Sequence, residues 1–148
     1  MNEKQFSDFI NELRKECLKY YKENLVSIVI FGSYAEDKYT PFSDIDLLLI
    51  LEKAGSNYKM YTEFFSILDN IETIKKLKEK NIFPLISPII KSKKSLIVEL
   101  PYLWSASFKI IYDKNNYFKK FLKKLDEFKK HRIEYFEYPI PHYIMKDG

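Results

Sequence analysis

The stretch Phe31-Gly32-Ser33-Tyr34-Ala35, followed after a short loop by Ser43-Asp44-Ile45-Asp46-Leu47, decides how this chain is read. Leu25 to Phe31 is an apolar run rich in β-branched residues that stops at Gly32, the pattern of a buried strand. Asp44 to Leu51 is a second strand. Past its acids both alternating positions are apolar, which places it inside a sheet covered on both sides. Residues two apart in a strand project to one face, so Asp44 and Asp46 stand side by side while Ile45 points away. Two carboxylates that close repel each other, and a divalent cation between them removes the repulsion. Their hard oxygen donors suit Mg²⁺ or Mn²⁺ shared with phosphate oxygens. Gly32 lets the backbone approach an anion closely, and successive N–H groups at such a turn form a cradle to which the Ser33 hydroxyl adds a donor. A phosphate clamp facing a metal site is the equipment of phosphoryl or nucleotidyl transfer.

Outward from this centre, the rest reads as a small α/β (α+β) domain. Phe6, Phe9, Ile10, Leu13, Cys17 and Tyr20 recur at helical spacing, which predicts an amphipathic helix over 3–22. Gly55, Ser56 and Asn57 form a turn into a second helix, whose stripe Met60, Phe64, Ile67, Leu68, Ile71 and Ile74 runs on toward Asn81. Leu85 to Ile90 is a third strand, irregular or at an edge because of Pro84 and Pro88. A short helix over 101–107, a strand over 109–113 and a helix beginning near Tyr117 follow. Beyond Arg132 the chain holds a strand-like, aromatic patch with two prolines. The expected architecture is a small mixed β-sheet flanked by helices.

Composition narrows the function classes. The chain has 148 residues, enough for one core. A net charge of +4 permits contact with a polyanion without demanding one, and the lysine runs read as solvated helix faces. Cys17 is the only cysteine, which excludes an internal disulfide and a cysteine-rich metal site, and its place in the first helical stripe makes it a buried apolar residue. No apolar run follows Met-Asn-Glu-Lys, and the longest uncharged stretch, Asn24 to Ala35, is shorter than the ~20 residues of a membrane span. The expectation is a cytoplasmic protein with no membrane segment. His131 and His142 have no partner spacing for zinc, and Trp104 and Tyr102 read as core.

Phe-Gly-Ser-Tyr-Ala followed by Ser-Asp-Ile-Asp-Leu-Leu-Leu resembles the signature of the polymerase β-type nucleotidyltransferase superfamily, and the small size resembles its minimal stand-alone prokaryotic members. The resemblance implies a polymerase β-like fold over residues 1–130, with an extension over 131–148 that packs on the domain or on a partner. It implies that Gly32 and Ser33 hold the triphosphate of an incoming nucleotide, that Asp44 and Asp46 bind Mg²⁺ (or Mn²⁺), and that Ser43 supports the turn and orients Asp44. The implied reaction moves a nucleoside monophosphate, AMP from ATP, to a hydroxyl on a protein or small molecule. Small members also act as antitoxins that neutralise a HEPN-type ribonuclease toxin by binding or AMPylation, so such a toxin is an implied partner. A long nucleic acid has no second domain to grip it, and a homo-oligomer stays open.

Two departures favour a third reading, a nucleotide-binding protein with impaired catalysis. Active members supply a third carboxylate from a neighbouring strand, whereas Pro84 to Lys91 contains no acid; Ser87 is a weak substitute and Glu99 reads as a surface residue. Where relatives carry Arg-Gly after the alanine, this chain has Glu36-Asp37, which repels phosphate unless a cation intervenes.

Overall fold

A computed structural model describes residues 1–40 and 43–146. The first helix, α1 (Glu3–Tyr21), starts at a capping box in which Asn2 and Gln5 satisfy each other's backbone N–H groups. It buries Phe6, Phe9, Leu13 and Cys17. Strands β1 (Leu25–Phe31) and β2 (Ile45–Leu51) pair antiparallel, with Phe31 opposite Asp46. Helices α2 (Asn57–Asp69) and α3 (Glu72–Glu79) lead to β3 (Ile86–Ser92), which pairs parallel to β2. Then β4 (Phe108–Asp113) adds antiparallel to the other side of β1, and α4 (Tyr117–Arg132) follows. The sheet order is β3-β2-β1-β4.

Strand alternation sorts the core into two layers. Ile28, Ile30, Leu47 and Leu49 pack with α1, α2 and α3 on one face, while Val29, Leu48 and Ile50 pack with Trp104 and α4 on the other. Both central strands are therefore buried on both faces, as their continuous apolar runs predict. The edge strand β3 is blunted: Pro88 has no N–H to offer, and the Ile90 N–H donates to the Tyr61 hydroxyl at 3.3 Å.

The single helix expected from Asn57 to near Asn81 is two helices. The apolar stripe runs through both, since Met60, Phe64, Ile71 and Ile74 are all buried, but the backbone at Ile71 is extended. The new helix start is capped from elsewhere in the fold, because the Thr73 N–H donates to the Glu12 carboxylate of α1 at 3.0 Å. Likewise, the expected short helix over 101–107 is a single 3₁₀ turn at Pro101–Leu103. The chain ends in a separate two-stranded hairpin, β5 (Ile133–Phe136) and β6 (His142–Met145).

Candidate functional site

The site forms where β1 and β2 end side by side. Gly32 leaves β1 with a φ of +74°, in the left-handed region where a side chain is disfavoured, and opens a 3₁₀ turn over Gly32–Tyr34. The turn is held from below. Tyr34 is buried, stacks on Tyr39 with ring centroids 4.2 Å apart, and meets Phe6 of α1 at 4.7 Å. The Ser33 carbonyl accepts the Glu36 and Lys38 N–H groups, which closes the loop, while its hydroxyl has no protein partner among the described residues. Glu36 is drawn toward β4, where its carboxylate accepts the Ser107 hydroxyl at 3.0 Å.

Asp46 stands in β2 on the face shared by Leu48 and Ile50, and Asp44 immediately precedes the strand. Both are half-buried. Burial pushes the Asp46 carboxyl above the usual aspartate range, and the Asp44 charge beside it pushes it further. That is the electrostatic signature of two carboxylates held together at a cost that a cation would relieve. Ser43 bonds to Thr40: its hydroxyl accepts the Thr40 N–H at 2.8 Å, and its own N–H donates to the Thr40 carbonyl. Of the loop before it, residues 41–42 lie outside the described part.

Gly32 and Asp46 lie against each other. A Cβ built on Gly32 would collide with the Asp46 carboxylate oxygen, so the turn and the metal-binding candidate touch. Of the five residues singled out from sequence, Gly32 and Ser33 lie in the turn after β1, Ser43 and Asp44 just before β2, and Asp46 in β2 opposite Phe31. Ser87 is the lateral neighbour of Asp46 across the parallel ladder, and no third His, Cys, Asp or Glu joins the two acids among the described residues. Glu99 is exposed. Trp104 is core, with its indole N–H donated to the Val98 carbonyl at 2.9 Å. Tyr34 escaped the sequence reading because an aromatic after Gly-Ser carries no periodic signal; only the packing reveals it as the anchor of the turn.

The nucleotidyltransferase domain model matches residues 10–142, most of the chain. The chain belongs to the nucleotidyltransferase domain family. A candidate protein adenylyltransferase of Methanocaldococcus jannaschii is 26% identical over 132 residues, covering 84% of both chains. A second protein of that description from the same organism is 40% identical over 48 residues, covering 32% of this chain and 44% of the relative. Among solved structures, a chain of a toxin–antitoxin complex determined with AMP-PNP superposes with a TM-score of 0.51 at 18% identity, over 82% of this chain and 87% of that one. The nucleotidyltransferase fold is thereby shared with that structure. Among the described residues no helix is long and apolar enough to cross a membrane.

Proposed function

We propose that this nucleotidyltransferase moves AMP from ATP to a hydroxyl of a protein, in a reaction that depends on a divalent cation. The observation that carries the reading is the contact between Gly32 and the Asp46 carboxylate, which joins the phosphate turn to the paired acids. The residues fit a cation: two half-buried carboxylates, one with its ionisation disfavoured by burial and then by the charge of the other, offer hard oxygens and excess negative charge. In this reading Asp44 and Asp46 hold Mg²⁺ or Mn²⁺. A cation held there would supply neutralisation of the triphosphate charge. Gly32 and Ser33 cradle the phosphates with backbone N–H groups and the Ser33 hydroxyl. Ser43 keeps the turn before Asp44 closed. The acceptor oxygen bonds to the α-phosphorus, the bond to the β-phosphate breaks, pyrophosphate leaves, and the hydroxyl proton passes to water.

Support for a protein acceptor comes from the kinship with the M. jannaschii candidate protein adenylyltransferases. An antitoxin role toward a HEPN-type toxin is the more specific form of the same reading, and Ser87 in the row of Asp46 favours a slow or partner-dependent enzyme over a fast one. The test is incubation with α-labelled ATP and Mg²⁺, alone and with a co-expressed HEPN-type protein. Label should appear on protein with the wild type and vanish with Asp44→Asn or Asp46→Asn. Equal silence of all three with every acceptor, while ATP still binds, would leave a nucleotide-binding protein without transfer.

A further inference from the structure

Residues 82–85 connect α3 to β3 beside the candidate site, and they present apolar side chains to solvent. Ile82, Phe83 and Leu85 are 46%, 69% and 63% exposed. The loop is nonetheless fixed at both ends. It leaves α3 through Asn81, whose φ of +59° turns the chain, and the Ile82 N–H returns to the Leu77 carbonyl at 2.9 Å. At the other end the Leu85 carbonyl accepts the Ile45 N–H at 2.9 Å, one residue after Asp44. Pro84 restricts the backbone between these ties. Apolar side chains held out on a fixed loop give up little conformational freedom when a partner covers them.

A cavity of about 230 Å³ joins this loop to the site: Tyr34, Ser43 and Asp44 line it together with residues 82–85. Among the described residues, the side chains that line it include no amide, no cation and no carboxylate besides Asp44. Such a lining has little with which to read a base edge or hold a phosphate, and it suits an apolar side chain. Its place in the sheet gives it a role. The strand order β3-β2-β1 sets the acids, in β2 and just before it, between the Gly32–Tyr34 turn after β1 and the loop before β3. In an in-line displacement the attacking oxygen and the leaving group lie on opposite sides of the phosphorus. With pyrophosphate held at the turn, the acceptor oxygen enters from the side of β3, where the cavity lies.

We infer that this cavity and residues 82–85 dock the protein acceptor: an apolar side chain next to the acceptor's hydroxyl residue fills the cavity, and Phe83 and Leu85 cover the surface around it. The inference rests on the reading that AMP is moved to a protein hydroxyl. The test measures transfer from α-labelled ATP with Mg²⁺ to the HEPN-type protein over a range of acceptor concentrations. Mg-ATP affinity by calorimetric titration and Tm are measured alongside. Phe83→Ser with Leu85→Ser should raise the KM for the acceptor roughly tenfold or more, as expected when two apolar side chains lose their burial on docking. Mg-ATP affinity and Tm should stay at their wild-type values. Phe83→Leu keeps an apolar contact and should hold the KM within about threefold of the wild type. Tyr58→Ser, which removes a still more exposed aromatic on α2, should leave it unchanged. An unchanged KM in the double variant overturns the inference while transfer itself stands. So does a weakened Mg-ATP affinity, which would give the cavity to the nucleotide, or an equal rise in KM with Tyr58→Ser. A wild type that binds Mg-ATP but labels no acceptor removes the transfer reading, and the docking role with it.

Discussion

Replacing Gly32 by alanine separates two costs that meet at one atom. The backbone there has a φ of +74°, so any Cβ meets the left-handed penalty of about 1–2 kcal/mol. The new methyl also falls on the Asp46 carboxylate oxygen, with Asp46 Cγ at 3.3 Å behind it. The carboxylate is the end of a short side chain and can turn aside, so this second cost is met by moving the acid, not by opening the core. The change should therefore lower stability by only the backbone term, roughly 3–6 °C in Tm for a domain of this size. Its larger effect is to pull Asp46 out of line with Asp44. Calorimetric titration with ATP and Mg²⁺ should show binding weakened at least tenfold, the loss of about 1.4 kcal/mol expected for one misplaced charged ligand. Gly55→Ala is the control: its Cβ meets nothing closer than Lys59 Cδ at 3.7 Å, and both Tm and binding should stay put. If Gly32→Ala binds Mg-ATP as the wild type does, the turn and the acids do not form one site.

Further expectations follow from the same geometry. Because the folded Asp46 carboxyl titrates above its unfolded range, its contribution to stability is present below the unfolded aspartate pKa near 4 and is lost as pH rises through the folded value. Asp46→Asn should thus raise Tm at pH 7 without Mg²⁺, with a gain that shrinks toward pH 4 and on adding Mg²⁺; an equal gain at all pH values would refute the shift. Ser87→Asp places an acid beside Asp46 in the parallel ladder, and should tighten Mn²⁺ binding and raise any AMP transfer; no change in either would show that this position does not face the metal. Glu12→Gln weakens the tertiary cap on α3 and should cost about 1 kcal/mol, some 3 °C in a melting curve. Cys17 is buried with its thiol pushed up to about 12, so it should resist alkylation at pH 8 until the chain is unfolded; rapid native labelling would place it elsewhere.

What the sequence by itself determined is local. The end of β1 at Gly32, the pairing of Asp44 with Asp46 and the buried faces of α1 and α4 are written in spacings of two, three and four residues, which neighbouring atoms enforce directly. From those, Gly32, Ser33, Asp44 and Asp46 were legible as one candidate site, while Ser43 entered only through the resemblance of the motif to a known family. Tertiary structure decided what spacing cannot carry. It laid β3 parallel to β2, which sets Ser87 in the row of Asp46, and it broke the long helix at Ile71 because Glu12, far away in sequence, caps the second half. It left the Tyr135 and Tyr143 faces of the hairpin uncovered, although their composition reads as well for a docked tail. Lateral neighbours, distant caps and exposed faces depend on contacts between residues far apart in the chain, and a periodic pattern gives each element a buried side without saying which element covers it.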